Sequence, residues 1–344
     1  MFRPPLAREL FDRRGPQSIH NQALQKYPQI SAIAADVRAA VAVDASTNVE
    51  EIIERQQARW DSSEAVRRSL IALRFYLRDL IRDIGSRWLE ANSGVTNYSL
   101  LIDTVQRDLN GTDVVVVTFN YDTMFEDAAE ALGVMRIRRG QDEAPEGYID
   151  DGPWRLFKLH GSVDWYRVTS LMGRHRMMSD RQDAEALSQV PANPSCLTEQ
   201  IIYGRGSIEQ RVLVPAIAAP LLTKNRFECP QPMLDALPAW LAGVDRVLCI
   251  GWRAAEANFL SVLSTTLGSK ALLPINIVSS DRESAASVAD HLRAAGLTKA
   301  RYGAFSGRFV TFMGECSSRA GGHLLSSEAF GELSFEGPQD VAVT

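Results

Sequence analysis

Three polar stretches of this chain follow apolar runs, and they hold residue types able to orient, polarise or deprotonate a ligand. Val114–Val117 leads into Thr118-Phe119-Asn120-Tyr121-Asp122, Leu156–Leu159 into His160-Gly161-Ser162, and Ile275–Val278 into Ser279-Ser280-Asp281. Asn120 offers an amide that donates and accepts together, Asp122 a fixed negative charge, and His160 an imidazole whose ordinary pKa of ~6.5 suits a base near neutrality. A fourth stretch, Gly251-Trp252-Arg253, pairs a glycine that permits close backbone approach with a guanidinium suited to phosphate oxygens. Each residue taken singly has an ordinary structural use. Asn120 and Asp122 could be turn and N-cap residues, His160 a packed histidine, and Arg253 a surface charge. Asp281 could bond a ribose, but it also heads the apparent helix Arg282–Ala295, and capping is its stronger reading. The placement of several such residues at successive strand ends is what favours function.

Those strand ends must be presented by a parallel sheet, where ligands bind beyond the carboxyl ends of the strands. Val114–Thr118 is a β-branched run, Asp122–Leu132 reads as helix, and Gly133 stops it. Further strands are expected at Val134–Ile137, Leu156–Leu159, Val212–Ile217, Val244–Ile250 and Leu272–Ser279, with helical patterns between several of them. The alternation predicts an α/β fold, a Rossmann-like parallel sheet flanked by helices. Upstream, from about Ile19 to Leu109, the pattern is helical. Its best stripe is Val66, Leu70, Leu73, Leu77, Leu80, Ile84 and Trp88, read as core packing, and Asn48 with Glu51 has the spacing of a capping box. The expected organisation is a helical lobe at residues 19–109 inserted into a Rossmann-like domain of residues 1–18 and 110–315, with a loosely ordered tail at 316–344 that carries Gly321 and Gly322. Tyr166–Ser207, polar and Met-rich, reads as an irregular excursion over the active face, and the lone Gly204-Arg205-Gly206 receives no phosphate-binding role.

Composition sets outer bounds. With 344 residues, 45% hydrophobic and 23% charged, the chain falls in the ordinary globular range and is long enough for about two domains. A formal charge of −5 argues against a general nucleic-acid or anionic-membrane binder. No apolar run approaches the ~18–20 residues of a membrane span, and MFRPPLARELFDRRG lacks the apolar core of a secretion signal, so the cytoplasm is the expected location. Cys196, Cys229, Cys249 and Cys316 stand at least 20 residues apart and form no Cys-x-x-Cys pair, so they read as isolated reduced thiols.

The motifs resemble those of the sirtuin family, specifically its divergent prokaryotic branch of NAD hydrolases. The likeness rests on Thr118, Asn120 and Asp122 within TFNYD, where protein deacylases have Thr-Gln-Asn-Ile-Asp. It also rests on Lys158–Trp165 (KLHGSVDW), Leu213–Lys224 (LVPAIAAPLLTK) and Ile250–Phe259 (IGWRAAEANF). Order and spacing agree from Asp113 to Asp281, about half the chain. The resemblance implies NAD as substrate, with His160 as catalytic base, Asn120 positioning ribose or water, and Asp122 stabilising the cationic centre. It further implies NAD contacts at Thr118, Phe119, Gly161, Gly251, Trp252, Arg253, Ser279, Ser280 and Asp281. The chemistry is consistent: cleaving the nicotinamide bond expels a neutral base and leaves an oxocarbenium ion, so the enzyme needs a placed nucleophile and negative charge rather than a general acid.

Two departures shape the expectation. Family members open with a strand and a Gly-Ala-Gly-x-Ser/Thr loop that cradles the pyrophosphate, whereas this sequence begins with a segment resembling the stretch just downstream of that loop, as though ~15–20 residues were omitted. Either translation begins further upstream in the natural protein, or the sheet closes differently and the dinucleotide is bound poorly. The two Cys-x-x-Cys pairs of the deacylases are also missing, so no zinc is expected. Family members of this branch resemble antiphage effectors controlled by oligomerisation or partner proteins, which implies a homo-oligomer with a regulatory protein partner. The leading expectation is therefore an NAD hydrolase yielding nicotinamide and ADP-ribose. The alternatives are an NAD-dependent deacylase or ADP-ribosyltransferase, and a non-catalytic nucleotide-sensing subunit.

Overall fold

A computed structural model describes residues 10–11, 19–44, 49–108, 111–138, 146–149, 152–173, 179–204, 211–218, 227–318 and 330–333. The chain is mixed α/β, with 11 α-helices and parallel strand pairs among the described residues, and it divides into two compact units. The first unit comprises Met1–Ser99 and Thr112–Leu237, the second Leu100–Gly111 and Pro238–Thr344. The expected capping residue Asn48, the Arg205-Gly206 dipeptide, the end of the Leu213–Lys224 motif and Gly321-Gly322 lie outside the described residues.

In the first unit, helices α1 (Ile19–Lys26), α2 (Ser31–Val43) and α3 (Val49–Gln57) pack with α4 (Glu64–Ala91). The leucine stripe of α4 is core: Leu70, Leu73, Leu77, Leu80 and Ile84 are buried in one cluster with Tyr27, Ile30, Ile33, Ile52 and Val214. From Leu70 to Arg78 every residue of α4 is buried, so its middle has no solvated face. Arg74 and Arg78, one turn apart, are tolerated there because each finds a carboxylate, Glu228 for Arg74 and Asp183 for Arg78. Arg82, a further turn along, donates to the Val163 carbonyl and to Asp164. Helix α5 (Asn97–Asp108) comes next, its first residues in this unit.

Strands β1 (Val114–Thr118) and β2 (Trp154–Lys158) pair in parallel with Val114 opposite Trp154 and Thr118 opposite Lys158. Between them runs α6 (Met124–Ala131), shorter than the expected Asp122–Leu132. Gly133, at φ +68°, ends it in a Schellman arrangement: its N–H reaches the Glu130 carbonyl and that of Val134 reaches Ala129. Those bonds draw Val134 and Met135 into the cap, so the strand expected at Val134–Ile137 does not form. Among the described residues an isolated antiparallel bridge of Arg138 to Glu146 follows that stretch.

A three-stranded antiparallel sheet, ordered β4-β3-β5, completes the unit: β3 (Gly161–Met172), β4 (Leu197–Tyr203) and β5 (Arg211–Ile217), with α7 (Ser179–Gln189) between the first two. This corrects the expectation that Tyr166–Ser207 is irregular. Trp165, Tyr166, Val168 and Thr169 are β-formers buried on both sides of β3, and their pattern outweighs the polar, Met-rich composition around them. Val212–Ile217 is a strand as expected, but its partner is antiparallel.

The second unit begins within α5 and takes up the end of α8 (Gln231–Ala242). Strands β6 (Val247–Ile250), β7 (Pro274–Ser279) and β8 (Arg301–Ser306) are parallel neighbours, and the short β9 (Gly331–Glu332) adds antiparallel to β8. Helices α9 (Ala257–Leu267) and α10 (Arg282–Ala294) provide the crossovers, and α11 (Phe309–Ser318) succeeds β8. No described helix is long and apolar enough to cross a membrane.

Candidate functional site

The parallel register of β1 and β2 sets the site. Thr118 and Lys158 are opposite at the strand ends, so the chain leaves both strands at the same edge of the sheet, and Asn120 and His160 each stand two residues further on. The two loops are hydrogen-bonded to each other: the Leu159 N–H donates to the Thr118 carbonyl at 3.1 Å, and the Val163 N–H to the Tyr121 carbonyl at 2.9 Å. The ring of Phe119 meets the imidazole of His160 edge-on with centroids 4.8 Å apart, and Tyr121 stacks on that imidazole at 6.3 Å. His160 thus contacts two aromatic side chains of the β1 loop. Its backbone is fixed as well, since its carbonyl accepts from the Ala218 N–H at 2.8 Å while the Tyr121 hydroxyl donates to the Ala218 carbonyl.

Within the β1 loop, the Thr118 hydroxyl accepts from the Asn120 N–H at 3.1 Å, a local turn that projects an exposed Asn120 side chain. Its Nδ2 donates to the Tyr98 hydroxyl at 2.9 Å. Asp122 Oδ1 accepts from the Met124 N–H at 3.0 Å, the local turn weighed from the sequence, while the N-cap position of α6 belongs to Thr123. Burial raises the Asp122 carboxyl above its ordinary value, against the opposing pull of Lys158.

Lys158 is wholly buried, and its Nζ donates to Glu126 Oε1 at 2.6 Å and to the backbone carbonyl of Asp122. Burial also raises Glu126, with Lys158 again pulling the other way. Two carboxylates and one ammonium leave the floor of this loop with an excess negative charge when all are ionised, a setting that attracts a cationic ligand. Gly161 has φ +84°, and a Cβ there would run into the Ala216 carbonyl, so glycine is required by the close approach of β5.

The remaining expected residues fall in the second unit. Gly251, at φ +61°, donates its N–H to the Val278 carbonyl, which brings Gly251-Trp252-Arg253 and Ser279-Ser280-Asp281 to the carboxyl ends of the adjacent strands β6 and β7. Trp252 is tied to Glu256 and packs on Phe259, and the Arg253 carbonyl bonds His291 at 3.0 Å. Asp281 is the N-cap of α10. Oδ1 accepts from the Ser284 N–H at 2.7 Å and Oδ2 from the hydroxyls of Ser280 and Ser284, bonds that lower its carboxyl below the ordinary value.

Sequence reading did not single out Tyr98, Lys158 and Glu126. Glu126 lies one helical turn beyond Asp122, and Lys158 lies within the quoted KLHG run, so both carried a local signal. Tyr98 meets Asn120 across 22 residues of chain, and nothing near it marks it. Among the described residues no group of three or more His, Cys, Asp or Glu is placed to hold a metal ion. Compared with known protein families and with curated proteins, the chain matches none.

Proposed function

We propose that this protein is a sirtuin-like NAD hydrolase that cleaves the nicotinamide glycosidic bond to give nicotinamide and ADP-ribose. The observation that supports the reading is the pair of hydrogen-bonded loops beyond β1 and β2, which carry Asn120, Asp122 and His160 in the order of the family motifs. In this reading His160 takes a proton from water as the water oxygen bonds to the ribose C1′. The C1′–N bond breaks with its electron pair going to the neutral nicotinamide, a step for which general-base assistance is typically worth ~100 to 10,000-fold. Asn120 orients the ribose or the water. Asp122 responds to the approaching positive ring by favouring its ionised form, and so stabilises the oxocarbenium-like transition state.

The finer expectations belong to the same proposal. The parallel strand–helix alternation within each unit is Rossmann-like, and residues 19–109 are a helical lobe inserted into that pattern. The protein acts in the cytoplasm as an antiphage effector, as a homo-oligomer restrained by a protein partner. The test is direct: purified protein is incubated with NAD and nicotinamide release is followed by chromatography. Release that is abolished by His160→Ala and by Asn120→Ala, at unchanged melting temperature, supports the reading. No release from the wild-type oligomer, with or without added cell extract as a source of activator, refutes it.

A further inference from the structure

We propose that Tyr98, the residue of α5 that reaches Asn120, is the positioning residue that fixes the Asn120 amide with its oxygen toward the ligand, so that the site presents a hydrogen-bond acceptor to a ribose hydroxyl. The inference rests on the NAD-hydrolase reading for its ligand, but its geometry is independent of that reading. Asn120 Nδ2 donates to Tyr98 Oη at 2.9 Å, and no described residue donates to Asn120 Oδ1. A primary amide that gives its nitrogen to a fixed partner must turn its oxygen the other way.

The surroundings of Tyr98 favour this orientation. Its ring packs edge-on against Phe125 with centroids 5.8 Å apart, so the side chain is anchored on α6. The negative charge of Asp122 acts on the Tyr98 hydroxyl, and burial with that charge raises its pKa, so the group stays a neutral O–H at any working pH. That charge favours the O–H hydrogen on the Asp122 side, with the oxygen accepting from Asn120 Nδ2. An amide without this partner is no longer held in one orientation, and every orientation that offers N–H where the ribose needs an acceptor is unproductive.

The consequence is an effect on turnover rather than on binding, because the acceptor matters most when a hydroxyl must be held in attack geometry. Tyr98→Phe retains the ring contact with Phe125 and removes only the hydroxyl. The expected result is a ~10 to 100-fold fall in kcat with KM changed less than about threefold.

The geometry is read separately by ¹H–¹⁵N spectra of protein labelled at asparagine. The Asn120 side-chain amide is expected as a resolved pair shifted from free-amide positions in the wild type, and it collapses to the positions of a free amide in Tyr98→Phe while the backbone spectrum is retained. An Asn120 amide indifferent to Tyr98→Phe overturns the proposal, as does a kcat unchanged by Tyr98→Phe. If the wild-type protein cleaves no NAD, the hydrolase reading fails on that result alone, and the spectra still decide whether Tyr98 holds the amide.

Discussion

The buried pair behind the site offers the sharpest physical test. Lys158 Nζ and Glu126 Oε1 are 2.6 Å apart, with side-chain exposures of 0% and 2%. Lys158→Met leaves a buried carboxylate with only a weak remaining contact from the Tyr148 hydroxyl at 3.4 Å and with Oε2 already lacking a partner. Removing one member of such a pair costs about 3–5 kcal/mol, whereas replacing both by apolar residues is often neutral. Some 2–4 °C per kcal/mol applies to a unit of this size, so the first unit's melting temperature is expected to fall by roughly 6–20 °C. The Lys158→Met/Glu126→Leu double variant is expected to recover most of it.

The pH dependence has a definite sign. Glu126 is already raised by burial, and loss of Lys158 removes the main influence that lowers it. A carboxyl whose folded pKa exceeds its unfolded value of ~4.3 contributes stability at pH below that value and loses it as pH rises through the folded pKa. The deficit of Lys158→Met relative to wild type must therefore grow from pH 4 to pH 8, and in the double variant it must not. Circular dichroism melts across that range provide the assay. A single variant as stable as wild type at pH 8, or a deficit that shrinks with rising pH, would refute the reasoning.

Other buried groups give further expected outcomes. Glu228 Oε1 lies 2.8 Å from Arg167 Nε but 3.4 Å from Arg74 Nη1, and Arg74 Nη2 has no partner. Arg74→Met should then cost less than Arg167→Met, which should cost about 3 kcal/mol or more, measured by urea titration of each variant. Gly161→Ala forces a left-handed backbone and a collision with the Ala216 carbonyl, so it should lower the melting temperature and yield little soluble protein. Asp281→Ala removes the α10 cap. Because the folded Asp281 pKa is lowered, its contribution is present above the ordinary value of ~3.9 and is lost as pH falls through the folded value, so wild type and variant should converge in acid melts. All four cysteines are buried, and burial pushes the Cys249 thiol up to about 12, so a thiol reagent at pH 8 should react only as the protein unfolds.

Residues with a local physical signature were legible in the sequence. The β-branched Val114–Thr118 run, the Gly133 stop, the Asp281 cap and the α4 stripe each obey a short-range rule, and each takes that form in the structure. The parallel pairing that sets Asn120 beside the His160 loop was legible too, since both apolar runs end in polar residues. The features that escaped depend on long-range pairing. Strands β3 and β4 combine β-forming residues with bulges and a polar setting, so their alternation is broken where the register shifts. The Tyr98–Asn120 bond and the Arg74–Glu228 contact join residues far apart in the chain, and no local periodicity encodes them. Val134–Ile137 failed for the opposite reason: its β-branched composition yields to the helix cap that precedes it.

The central claim is that Asn120 and His160 serve one ribose. A crystal structure of the His160→Ala protein with uncleaved NAD measures this most directly. The account predicts the nicotinamide ribose at the mouth of β1 and β2, with one hydroxyl on Asn120 Oδ1 and C1′ facing the space vacated by the imidazole. NAD bound with that ribose elsewhere in the first unit, or touching neither position 120 nor position 160, would contradict it.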